Sequence, residues 1–141
     1  MIYLETPNNF SPKFQVVSCY VECQGKLLFL HRPMHKSQGG KWGVPAGKVE
    51  IDETFEKALV REVQEEAGLK IDSGKLYFLK KIAVRHSEYD FIYHMYRVIL
   101  DEIPEVKINP AEHQDYMWAT PQEALSMDLV TDLDTCIKMY Y

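Results

Sequence analysis

The chain has 141 residues, 46% of them hydrophobic and 26% charged, with a formal net charge of −5. That is the length of one domain with enough apolar content for one core, and the negative balance argues against general nucleic-acid binding, which needs a basic face to displace phosphate counterions. No apolar run reaches the ~18 residues that span a bilayer, and the first residues, MIYLETPNNFSPKF, lack the basic-then-apolar order of a signal peptide. The expectation is a single domain over residues 1–141, in the cytoplasm, with no membrane partner. A small phosphorylated substrate stays open, because a bound cation can supply positive charge locally. The three cysteines, Cys19, Cys23 and Cys136, are an odd number, and no second Cys/His pair completes a zinc site. They are read as reduced thiols, packed or half-exposed.

Residues 1–12, with Pro7, Asn8, Asn9 and Pro12, read as an irregular lead-in. Lys13 to Glu22 is rich in β-branched and aromatic residues and reads as a strand; Gln24-Gly25 marks a turn into a second strand, Leu27 to His31. Pro33 to Lys41 carries Gly39-Gly40 and reads as a loop, Trp42 to Val44 as a short strand, and Pro45 to Lys48 as a loop. Thr54 to Ala67 is the clearest helix, with Asp52 or Thr54 to cap its start and Gly68 suited to the left-handed residue past its end. Leu76 to Arg85 and Phe91 to Leu100 read as two strands around a turn, Ile103 to Pro110 as loop, and Tyr116 to Ala119 as a short strand. Pro121 to Ser126 and Asp132 to Tyr140 read as helical. This order is that of an α+β or mixed-sheet sandwich, not of repeating βαβ units.

At 100° per residue, Phe55, Leu59, Glu62, Glu66 and Leu69 share one stripe of the long helix, flanked by Ala58 and Glu65. Its first half is apolar; its second half carries three carboxylates spaced to converge. Like charges at that spacing repel, and the helix C-terminus disfavours negative charge. A structural helix gains nothing from this. A site for a hard divalent cation does, because Mg²⁺ takes a few carboxylate oxygens together with water and phosphates. The preceding Pro45-Ala46-Gly47-Lys48 offers close backbone and a lysine to a phosphate.

The segment GKVEIDETFEKALVREVQEEAGL, from Gly47 to Leu69, resembles the Nudix box: Gly, five residues, Glu, seven residues, Arg-Glu, an aliphatic, any residue, Glu-Glu, any residue, Gly, an aliphatic. Gly47, Glu53, Arg61, Glu62, Val63, Glu65, Glu66, Gly68 and Leu69 fill every specified position. The resemblance implies a Nudix fold, a mixed β-sheet core sandwiched between helices. It also implies hydrolysis of a nucleoside diphosphate linked to another moiety, with Mg²⁺ or Mn²⁺. By position it makes Glu62, Glu65 and Glu66 metal ligands, adds the backbone carbonyl of Ala46, and pairs Glu53 with Arg61 as a brace between loop and helix, with Arg61 near the phosphates. The family usually has glycine where Ala46 stands; alanine keeps the carbonyl. Similar proteins are often dimers.

A carboxylate must take the proton of the attacking water. Glu62 and Glu65 are candidates within the box, and Glu112, in Pro110-Ala111-Glu112-His113, is a candidate base or metal ligand outside it. His113 is a rival for that role, placed behind its reading as an ordinary surface histidine. His31, Arg32, Lys48 and Arg85 are candidate phosphate contacts, and Trp42, Tyr20, Tyr93 and Tyr96 candidate base-stacking rings. Substrates of similar proteins include nucleoside triphosphates, oxidised nucleotides, nucleotide sugars, ADP-ribose and dinucleoside polyphosphates; triphosphates and nucleotide sugars are put first. The alternative is a non-catalytic nucleotide sensor on the same fold. A P-loop fails on spacing, with Val49 where Ser or Thr should stand, and a His-Glu-x-x-His zinc site is absent.

Overall fold

A computed structural model describes residues 1–141. Its strands are β1 (Ile2–Tyr3), β2 (Pro12–Cys23), β3 (Lys26–His31), β4 (Trp42–Gly43), β5 (Ala46–Lys48), β6 (Tyr77–Arg85), β7 (Asp90–Leu100) and β8 (Asp115–Ala119). Its helices are α1 (Phe55–Ala67), α2 (Pro121–Ala124) and α3 (Leu133–Tyr140), with one 3-10 turn at Ser73–Lys75. All eight strands join one mixed sheet in the order β1-β6-β7-β2-β3-β4, with β5 paired to β2 and β8 to β3. The β2–β7 pair is parallel; the others are antiparallel.

Both faces of this sheet are covered, which explains why β2 and β3 read as nearly continuous apolar runs. On β2, Val17, Cys19 and Val21 point to one face and pack with Ala58, Leu59, Val63 and Ala67 of α1. Tyr20 points to the other, where Leu133, Cys136 and Ile137 of α3 cover it. β3 divides likewise: Leu28 and Leu30 face α1, Leu27 and Phe29 face α3. The result is the mixed-sheet sandwich read from the residues, layered between helices as the resemblance implied. The three cysteines are free thiols, and all are buried.

Two expectations need correction. Ile2–Tyr3 is not irregular but pairs with Ala83 and Val84 at the sheet edge. Ala46–Lys48 is not loop but a strand, pairing antiparallel with Val16, Val17 and Ser18. Three residues containing an alanine and a glycine carry no strand signal of their own. Their extended form comes from the long partner β2. No helix is long and apolar enough to cross a membrane.

Candidate active site

α1 begins where expected: Thr54 is the N-cap, its hydroxyl accepting from the Lys57 amide at 3.1 Å. It ends at Gly68, whose φ of 69° is left-handed. A side chain at Gly68 would meet Lys107 as well as strain the backbone. That contact is structural, because residues 107–113 wrap the end of α1. The Lys107 amide donates to the Ala67 carbonyl at 2.9 Å, and the Asn109 amide to the Glu66 carbonyl at 3.4 Å. The Glu112 and His113 amides then both donate to the Asn109 carbonyl at 2.9 Å. Main-chain bonds thus set Glu112 and His113 against the last turn of α1.

The three carboxylates of α1 do not share one environment. Glu66 is 5% exposed and lies within the buried face, beside Val63 and Ala67. Its Oε1 accepts from the Ala46 amide at 2.9 Å. The β2–β5 ladder permits this. Cys19 donates to the Pro45 carbonyl and Val49 to the Gln15 carbonyl. An antiparallel ladder bonds alternate residues, so the backbone groups of Ala46 between them face away from β2. Burial raises the Glu66 pKa well above the ordinary carboxylate value, and Glu62 and Glu112 add repulsion. Glu62 is half-buried, and burial raises its pKa too, against the opposing effect of Arg61. Gly47 packs so closely on it that a Cβ there would overlap its carboxylate. Glu65 is the outward member, its side chain 49% exposed.

Arg61 ties these pieces together. Its Nε and Nη2 grip both oxygens of Glu53, at 2.8 and 2.9 Å. Nη1 donates to Glu62 Oε1 at 2.8 Å and reaches Glu65 at 3.4 Å, while Nη2 also donates to the Lys48 carbonyl at 3.1 Å. The guanidinium hydrogen bonds, with one from the Glu50 amide, draw the Glu53 pKa down to about 2; the same contact raises that of Arg61. A two-pronged fork of this kind fixes geometry as well as charge.

Donor atoms of Glu66, Glu112 and His113 lie within 4.8 Å of one another. Sequence reasoning put a surface position first for His113; it is 6% exposed. Burial, then Arg32 and Lys36, lowers its pKa to about 4, so the ring is neutral near pH 7. Its position follows from the Asn109-anchored turn, a tertiary feature with no local sequence signal.

Glu66 and His113 line a 310 Å³ cleft, together with Ala46, Arg32 and Lys48. Its walls include Phe14, Tyr89, Phe91 and Tyr93. Of the basic candidates, Arg32 and Lys48 reach the cleft. His31 stacks on Trp42 at 4.3 Å and contacts the Gly40 carbonyl, and Arg85 is paired with Asp90. Of the aromatic candidates only Tyr93 lines the cleft; Tyr20 and Tyr96 are core. Phe14, Tyr89 and Phe91 were not singled out from sequence. Phe14 and Phe91 are parallel neighbours on β2 and β7, their rings stacked at 5.4 Å, and only knowledge of that pairing reveals them.

Comparisons with known proteins agree with this arrangement. The NUDIX domain model matches residues 12–139. The CTP pyrophosphohydrolase of Escherichia coli is 34% identical over 116 residues, 82% of each chain. The 8-oxo-dGTP diphosphatase of Proteus vulgaris is 50% identical over 45 residues, which span 32% of this chain and 40% of that enzyme. Among solved structures, the E. coli ORF135 protein superposes with a TM-score of 0.75 at 28% identity, covering 95% of this chain and 91% of that one. A complete box on the long helix, the fold around it and a match over nearly the whole chain agree: the protein belongs to the Nudix family and is a hydrolase acting on phosphorus-containing anhydrides.

Proposed function

We propose that the chain is a divalent-metal-dependent pyrophosphohydrolase of nucleoside diphosphate-X substrates, with nucleoside triphosphates ahead of nucleotide sugars. The observation that carries this is the meeting of Glu66, Glu112 and His113, two of which, Glu66 and His113, line a 310 Å³ cleft with aromatic walls. That volume is at the lower end of small-ligand sites. The names of the relatives support the triphosphate preference: one acts on CTP, another on 8-oxo-dGTP.

The donor set suits a hard dication. Glu66 and Glu112 supply carboxylate oxygens close together, and Glu66 is a buried carboxylate whose ionisation its surroundings oppose. Glu62 and Glu65 would complete the carboxylate set, and the Ala46 carbonyl lies on the same outward side of β5. Mg²⁺ or Mn²⁺ held there would neutralise phosphate charge and acidify a water.

The chain's own residues have separable tasks. Arg61, locked on Glu53, holds Glu62 and Glu65 in place and keeps positive charge close to the phosphates. Arg32 and Lys48 face phosphate oxygens from the cleft wall. Phe14, Phe91 and Tyr93 offer an apolar surface to the base. The attacking water yields its proton to Glu62, Glu65 or Glu112. Which serves is decided by pH–rate profiles of the three glutamine variants at saturating metal, where loss of the base removes the acidic limb and loss of a ligand alone does not.

The test is product release from a panel of nucleoside triphosphates, nucleotide sugars, ADP-ribose and dinucleoside polyphosphates, with Mg²⁺ and with chelator, beside Glu65→Gln. Turnover of triphosphates that needs metal and falls by at least about 10²-fold in the variant is expected. Turnover that survives chelation sinks the proposal.

A further inference from the structure

The buried ring of His113 has no place in the box and no partner to explain it. Its Nδ1 is solvent-inaccessible and without a hydrogen bond. Buried polar atoms are nearly always paired, so an orphan calls for a reason. An apolar side chain would fill the same volume at lower desolvation cost than a histidine kept only for packing. Here the ring lines the cleft, with one nitrogen within 4.8 Å of oxygens from both Glu66 and Glu112.

Around one cation with bonds near 2.1 Å, donor atoms stand roughly 3 to 4.3 Å apart. Small side-chain adjustment closes the observed spacing to that. The backbone is already committed. Lys107 and Asn109 bind the carbonyls of Ala67 and Glu66, and the Asn109 side chain also accepts from the Ala111 amide at 3.0 Å. The Gln114 amide donates to the His31 carbonyl at 2.9 Å, fixing the other end of the turn. Glu66, Glu112 and His113 therefore come from two segments pinned to each other, and a ligand set needs that rigidity.

We propose that His113 is a metal ligand together with Glu66 and Glu112, adding one nitrogen to the carboxylate oxygens and so favouring divalent first-row transition metals over Mg²⁺. Carboxylates alone suit Mg²⁺ and Mn²⁺, whereas an imidazole nitrogen raises affinity along the series toward Co²⁺ and Zn²⁺. This rests on the reading that Glu66 and Glu112 hold a cation.

The full chain loaded with Mn²⁺ is examined by pulsed electron paramagnetic resonance for the ¹⁴N coupling of a bound imidazole. Mn²⁺, Co²⁺ and Mg²⁺ affinities are measured by titration calorimetry in wild type, His113→Gln and Glu66→Gln. A nitrogen coupling is expected in the wild type and not in His113→Gln, whose Co²⁺ affinity drops by about 10-fold or more while Mg²⁺ affinity changes less. Mn²⁺ bound in the wild type without nitrogen coupling overturns the proposal, and this holds even if His113→Gln does not fold. If Mn²⁺ binds, Glu66→Gln weakens it and no nitrogen signal is present, His113 alone is excluded. If no metal binds the wild type, the carboxylate reading falls with it.

Discussion

The Ala46 amide donates to Glu66 Oε1 across 2.9 Å, joining a three-residue strand to the last turn of the long helix. This one bond holds a buried carboxylate beside Glu112 and His113. Glu66→Gln keeps the acceptor and the shape but removes the charge. It is expected to leave the metal-free melting temperature equal or higher, because a carboxylate whose ionisation burial opposes is replaced by a neutral amide. The rise in melting temperature with added Mn²⁺ should shrink, and metal-dependent turnover should fall by at least about 10²-fold. Scanning calorimetry with and without Mn²⁺ separates the two effects.

Gly47 leaves room for the Glu62 carboxylate that any side chain would take. Gly47→Ala is therefore expected to displace Glu62 or β5. The destabilisation should be about 1–3 kcal/mol, the usual range for forced overpacking. Turnover should fall more steeply than stability. Chemical denaturation beside kinetics checks this; an unchanged rate would mean that Glu62 can turn away without cost.

Arg61→Lys keeps the charge but not the fork on Glu53. It is expected to lower kcat by about 10–100-fold, as loss of residues that orient ligands does. The melting temperature should drop only modestly, because Arg61 does not build the apolar core. Equal falls for Arg61→Lys and Arg61→Ala would show that charge without geometry is worth nothing here.

Asp90 accepts from Arg85 at 3.1 Å and from the Ser11 amide at 3.0 Å, closing the β6–β7 hairpin against the segment leading into β2. The Arg85 bond, then the Ser11 bond, holds its pKa below the ordinary value. A depressed folded-state pKa contributes stability that is present above the unfolded value, near 3.9. It is lost as pH falls through the lower folded value. The melting temperature should therefore decline more steeply below about pH 4 in wild type than in Asp90→Asn, and thermal melts across that range measure the difference.

The carboxylate helix was legible because it carries its signals locally: a threonine cap, a glycine stop and a period that places glutamates where apolar residues belong. The mixed-sheet class was legible from the order of strands and helices, and the layering from the resemblance of Gly47 to Leu69 to the Nudix box. The different burial of Glu65 and Glu66 was not legible from the stripe alone. The helix face sends Glu66 inward and Glu65 outward, a difference of one residue's rotation. His113 and the Phe14–Phe91 wall were out of reach for another reason. Each depends on which distant segment lies alongside, and β2 with β7, or residues 107–109 with α1, are met only after folding.

The turn carrying Glu112 and His113 is moored to α1 by amide-to-carbonyl bonds from positions 107 and 109. Main-chain mooring is indifferent to side-chain identity, proline excepted. At position 107 the side chain is free to drift over evolutionary time without moving the carboxylate centre. The chemistry at Glu112 and His113 is thereby held by the backbone, and a substitution at position 107 leaves that hold intact.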